Sequence, residues 1–131
     1  MMLNEIPEEN NTLLQGYESA ADLLRLLAHP ARLAILEILR EGEACVCHIE
    51  SILGLRQAYV SQQLMVLRQG GVVSMRRQGW NVFYRVNDAR IFEVVDALYQ
   101  IRAPARAVSM IPAVAPRCTC PRCRVGAATS K

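Results

Sequence analysis

The chain has 131 residues, 52 % of them hydrophobic and 5 % aromatic, with a formal net charge of +3. That length fits one domain, or one domain with a tail, around a small core. Arginine interrupts the longest apolar stretches, as in Leu23-Leu24-Arg25-Leu26-Leu27, and the start Asn4-Glu5-Ile6-Pro7-Glu8-Glu9 is acidic, so neither a bilayer span nor a signal peptide is expected and the protein is placed in the cytoplasm.

Residues 1–11 are polar and are expected to form a flexible N-terminus. Over 12–27 the apolar residues Leu13, Leu14, Tyr17, Ala20, Ala21, Leu24 and Leu27 recur at steps of three and four, the spacing of an amphipathic helix. His29-Pro30 interrupts it, and Pro30 suits the first turn of the next helix. That helix runs to about Arg40, with Leu33, Leu36 and Leu39 on one side and Ile35 and Ile38 widening the stripe; Gly42 ends it. A short helix is expected over 47–53, a turn at Gly54-Leu55, and a further helix over 57–69 with Val60, Leu64 and Leu67 inward.

Residues 72–86 read as a hairpin around a Gln78-Gly79 turn, pairing Met75 with Val82 and Val73 with Tyr84, with Arg76, Arg77 and Asn81 near the tip. Asp88 suits the N-cap of a last helix reaching about Arg102. Ile91, Phe92, Val94, Val95, Leu98, Tyr99 and Ile101 cover more of that helix than one side needs, which points to contact with both its own body and a partner. Residues 103–131 form a tail with four of the six prolines and three of the five cysteines, expected to order only if its cysteines are held. The folded domain is thus expected over 12–102.

Charge is divided along the chain. Residues 1–50 hold nine acids and three arginines, a net −6; residues 51–131 hold three acids against eleven arginines and Lys131, a net +9. Arginine suits bidentate contact with phosphate and guanine, although a codon bias toward arginine gives the same composition. Two short helices joined by a glycine turn, then a glycine stop and a basic hairpin, make the order of a winged helix-turn-helix. The outward residues of its second helix are Gln57, Tyr59, Ser61 and Gln62. Glutamine can bond two atoms of an adenine edge, serine can reach a phosphate, and tyrosine can stack or meet a thymine methyl. Arg76, Arg77 and Gln78 would meet the flanking backbone or enter the minor groove. Each part alone also fits an ordinary polar surface; the joint order is the specific signal.

These residues resemble the ArsR–SmtB family of metal-responsive repressors. The segment Leu26-Leu27-Ala28-His29-Pro30-Ala31-Arg32-Leu33-Ala34-Ile35-Leu36 resembles its second-helix signature, and Cys45-Val46-Cys47-His48-Ile49 the Cys-Val-Cys box of its arsenite and cadmium sensors. Val60-Ser61-Gln62-Gln63-Leu64 through Leu67-Arg68 is similar to the recognition helix; Arg76-Arg77-Gln78-Gly79 with Phe83-Tyr84-Arg85-Val86 is similar to the wing. The resemblance covers about 20–100. It implies a mainly α fold with a β-hairpin, a homodimer built by the first and last helices, and a palindromic operator on double-stranded DNA. It also implies repression by the metal-free protein and release by the effector. Arg56 stands where the family often has a serine cap, and Gln63 where it often has histidine. The family's last-helix zinc site is expected to be absent, because Arg90 replaces the histidine two residues after Asp88.

On a helix, Cys45 and Cys47 would point roughly 200° apart. They can share an ion if Cys45 precedes the helix and Cys47 lies in its first turn, where the helix N-terminus favours thiolates. A Cys-x-Cys alone is a modest motif, compatible with buried structural thiols. Glu50 stands where the arsenite box has its third cysteine, so the tail residues Cys118, Cys120 and Cys123 are the expected completion. A three- or four-sulfur site suits As(III), Cd(II), Pb(II) or Zn(II). Cys118 is seventeen positions beyond Ile101, a coil span of about 20–25 Å, which leaves binding within one subunit or across two open. His48 is expected to be exposed or capping, with zinc ligation the alternative; His29 is expected to be structural, and Trp80 to pack, with recognition the alternative. The rival readings are a redox or sulfide sensor on the same scaffold and a thiol enzyme or metal carrier. Cys120-Pro121-Arg122-Cys123 has redox spacing but lies in a proline-rich tail, and no serine–histidine–acid set or phosphate loop is present, so no enzymatic activity is expected.

Overall fold

The computed structural model describes residues 11–102. In chain order they form α1 (Asn11–Leu27), α2 (Pro30–Leu39), β1 (Ala44–Cys45), α3 (Val46–Leu53), α4 (Gln57–Gln69), β2 (Val73–Gln78), β3 (Asn81–Val86) and α5 (Arg90–Arg102). This is a winged helix-turn-helix, mainly α with a small antiparallel sheet ordered β1-β3-β2. Among the described residues no helix is long and apolar enough to cross a membrane.

Local chemistry sets the boundaries. His29 is extended and its Nδ1 accepts from the Ala31 N–H at 3.2 Å, while Pro30 occupies the first helical position of α2; the histidine is structural, as expected. α3 ends at Gly54, whose φ of +66° is the left-handed cap that turns the chain toward α4. Arg56 at the start of α4 makes no side-chain cap bond. Asp88 Oδ1 accepts from the Arg90 N–H at 2.9 Å at the start of α5.

α2 runs through the centre. Its Ile35 and Leu36 are fully buried against Ile49 of α3, Val60, Leu64 and Leu67 of α4, Val72 and Val73 at the start of the hairpin, and Ile91 and Val95 of α5. Burial of such side chains is worth about 1.5–3 kcal/mol each. α1 adds Leu27 to this core. Leu23 and Leu26 pack partly against it, but Leu13 at 74 % and Tyr17 at 70 % exposure are uncovered; on α5, Ile101 stands at 77 %. Arg40 ties α5 to α2. Its guanidinium donates to Asp96 Oδ1 at 2.7 Å and Oδ2 at 3.2 Å, to both Glu37 oxygens, and lies 4.8 Å from the centre of the Phe92 ring.

The sheet departs from the sequence reading in two ways. β1 was not anticipated: Ala44 pairs with Tyr84 and Cys45 with Phe83, and two residues are too few to show a period. The hairpin register is also shifted by two. Met75 faces Tyr84, Val73 faces Val86, and Gln78 faces Asn81, so the turn is Gly79-Trp80 rather than Gln78-Gly79. Only Gly79 takes a positive φ, +60°, and Trp80 does not. That is the II′ arrangement, which demands glycine at the first central position and suits the twist of a hairpin. A slip of two preserves which residues share a face.

Candidate nucleic-acid interface and cysteine pair

α4 buries Val60, Gln63, Leu64 and Leu67 and turns its other side to solvent. Gln57 and Gln62 are exposed and Ser61 is half-buried. Tyr59 lies at the edge toward α2, its hydroxyl 3.5 Å from His29 Nε2. Sequence reasoning missed Ala58 and Met65, which are exposed on the same helix; with Ser61 and Gln62 they complete a stripe at steps of three and four, a signal read only for the inward face. Gln63 is not a surface residue. It is 7 % exposed, and its Oε1 accepts from Arg32 Nε at 2.9 Å. Arg32 also donates to the main-chain oxygens of Leu26 and Arg25 at the end of α1, so one guanidinium joins α1, α2 and the underside of α4.

On the wing, Arg76 is engaged by its own protein. Its Nε lies 2.8 and 3.0 Å from the two Glu43 oxygens, its Nη1 donates to Gln78 Oε1 at 2.8 Å, and its guanidinium sits 4.7 Å from the centre of the Phe83 ring. The bond to Glu43 raises the Arg76 pKa above its already high ordinary value. Arg77 is exposed on the other face of the hairpin and has no carboxylate partner among the described residues. Arg68 at the end of α4 donates to Met75 Sδ at 3.0 Å and likewise has none. Between Glu50 and Asp88 the sequence contains no acid and five arginines, at 56, 68, 76, 77 and 85. Trp80, expected to pack, is instead fully exposed at the turn, because the II′ geometry puts it at the outermost position.

The two described cysteines are thiols at one helix end. Cys45 is the extended N-cap of α3 and Cys47 lies in its first turn, the placement that the spacing requires if both are to serve one ion. Their environments differ. Cys45 is 3 % exposed and its Sγ accepts from the His48 N–H at 3.4 Å, whereas Cys47 is exposed. His48, expected to be exposed or capping, is buried beneath the helix start and its backbone N–H, not its ring, serves the cap. Because Cys45 also pairs with Phe83 of β3, one residue belongs to both the helix-turn-helix and the wing sheet. Among the described residues no group of three or more histidines, cysteines or acids is placed to hold a metal. Two sulfurs, one of them buried and hydrogen-bonded, form too small a donor set for a soft ion. Cys118, Cys120 and Cys123 lie outside the described residues, so any complete thiolate set depends on them.

Comparison with known proteins agrees with this architecture. Residues 29–75, from the α2 cap into β2, match the family described as bacterial regulatory protein, arsR family. The chain is 44 % identical over 81 residues to the biofilm growth-associated repressor of Xylella fastidiosa strain Temecula1, covering 62 % of this chain and 71 % of that protein. It is 41 % identical over 78 residues to the HTH-type transcriptional repressor SmtB of Mycobacterium tuberculosis strain H37Rv, covering 60 % and 58 %. Among solved structures, the transcriptional repressor BigR from Xylella fastidiosa is similar with a TM-score of 0.62 and 38 % identity, over 74 % of this chain and 97 % of that one. Reduced HlyU from Vibrio cholerae N16961 is similar with a TM-score of 0.63 and 29 % identity, over 71 % and 98 %. The chain therefore belongs to the ArsR family of bacterial regulatory proteins and is a DNA-binding regulator rather than an enzyme.

Proposed function

We propose that this protein is a cytoplasmic transcriptional repressor that binds a palindromic operator as a homodimer and lets go when a thiophilic ion, As(III) before Cd(II), Pb(II) or Zn(II), engages Cys45, Cys47 and thiols of the tail. The observation that carries this reading is the double attachment of Cys45, whose sulfur caps α3 and whose backbone pairs with the wing strand β3. An ion bound there draws on the cap sulfur and so acts on the brace helix and the wing together. The uncovered apolar residues of α1 and α5 support a dimer, since they are what a second copy would bury. Gln57, Tyr59 and Gln62 would read bases and Ser61 would reach a phosphate, with Arg76, Arg77 and Gln78 at the flank. Linkage requires that DNA weaken ion binding by the factor by which the ion weakens DNA binding.

The test is release of a labelled operator during titration with each of the four ions. Cys45→Ser and Cys47→Ser should retain DNA binding and lose release, as should deletion of 117–131. Release that persists in both cysteine variants refutes the assignment.

The small donor set among the described residues favours a second reading, a thiol-redox repressor. Cys47 and a tail cysteine would form a disulfide, giving up two protons and two electrons to a peroxide-class oxidant that is reduced to water. Mass spectrometry after mild peroxide treatment separates the readings: a cross-linked peptide lacking two hydrogens supports redox sensing, and unchanged thiols with ion-dependent release support the metal reading.

A further inference from the structure

We infer that Trp80 at the wing tip is a DNA contact, its indole seating in the minor groove next to the major groove that α4 occupies. The inference rests on the reading of the chain as a DNA-binding repressor and names a contact beyond its polar and basic residues. Trp80 has a relative exposure of 101 %. Tryptophan carries a large apolar area and is highly buried on average, so covering this indole on binding would remove apolar surface from water.

The surroundings select the partner. Trp80 lies within the stretch that has five arginines and no acid, and Arg77 and Arg68 have no carboxylate among the described residues. An apolar ring at the tip of a hairpin whose Arg77 has no carboxylate partner among the described residues fits a polyanion whose grooves have apolar sugar walls. The strand that leads to the tip starts four residues after α4 ends, and α4 packs against it. With α4 in a major groove, the hairpin beside it crosses the phosphate backbone toward the adjacent minor groove. Glycine at the first turn position absorbs the positive φ, which leaves the second and outermost position to a bulky side chain.

Trp80 is the single tryptophan of the chain, so intrinsic fluorescence reports on it alone. The experiment titrates the full-length protein with a duplex recovered by selection from a random pool, following duplex anisotropy and tryptophan emission together. The expected result is a rise in anisotropy with quenching and a blue shift of Trp80 emission that saturate at the same concentration. Trp80→Ala should melt at the wild-type temperature and bind about tenfold more weakly, the scale of one inserted aromatic anchor, with Trp80→Phe in between. Saturated anisotropy with unchanged emission overturns the inference while leaving the repressor reading intact, as does wild-type affinity in Trp80→Ala. A blue shift on concentrating the protein without DNA assigns the ring to a second copy instead and also overturns it. Anisotropy that never rises overturns the inference and the repressor reading together.

Discussion

Arg32 Nε on α2 donates to Gln63 Oε1 on α4 at 2.9 Å, and the same guanidinium reaches the last carbonyls of α1. The reading helix is thereby fixed from beneath to a helix that carries uncovered apolar surface. Arg32→Ala strands the buried Gln63 amide and should cost about 1–3 kcal/mol. Gln63→Leu combined with Arg32→Ala should cost less than the two single losses added, with a coupling of about 1 kcal/mol. Chemical denaturation of the four proteins measures this. Strict additivity would show that the pair is not coupled.

Glu43 restrains Arg76 on the wing. Glu43→Gln should leave the fold nearly unchanged, because an exposed ion pair contributes little to stability. It should free the guanidinium for a phosphate, tighten duplex binding at low salt and steepen the salt slope by about 1. Anisotropy titrations at several salt concentrations provide the check, and equal slopes would place Arg76 off the duplex.

The Arg90 side chain and backbone N–H hold the Asp88 carboxyl at about 2, below its ordinary 3.8. A carboxyl depressed in the folded state contributes stability that is fully present above the unfolded value and is lost as pH falls through the folded one. The contribution should therefore hold above about pH 4 and fade toward pH 2. Thermal melts of wild type and Asp88→Asn across that window should differ at pH 5 and converge near pH 2; parallel curves would deny the carboxylate its role at the start of α5.

Leu13 and Tyr17 on α1 and Ile101 on α5 are mostly in water. Leu13→Glu with Ile101→Glu should give a monomer by sedimentation with an unaltered helical spectrum, and should weaken duplex binding by about a hundredfold as two-headed contact is lost. A dimer that survives both charges would place the subunit interface elsewhere.

The helices were legible because their edges are punctuated. Gly54 and Gly70 bracket α4 so tightly that the observed span, Gln57–Gln69, is the expected one. The spacing of the cysteine pair set a condition, a helix start between the two sulfurs if they share an ion, and α3 starts there. What escaped detection depended on tertiary contact. β1 exists only because β3 lies beside it, and the bond that buries Gln63 joins it to Arg32, 31 residues away. Trp80 was expected to pack rather than to recognise DNA, whereas the turn places it exposed at the tip. The tail cysteines lie outside the described residues, so the proposed donor set still rests on sequence.

The acid-free run from the end of α3 through the wing has a kinetic consequence. α1 to α3 hold most of the described acids, while α4 and the hairpin hold arginines without any. Such a molecule is an electric dipole, and near a polyanion it experiences a torque that presents the arginine pole first. Encounter should accordingly be faster, and more sensitive to ionic strength, than a net charge of +3 implies.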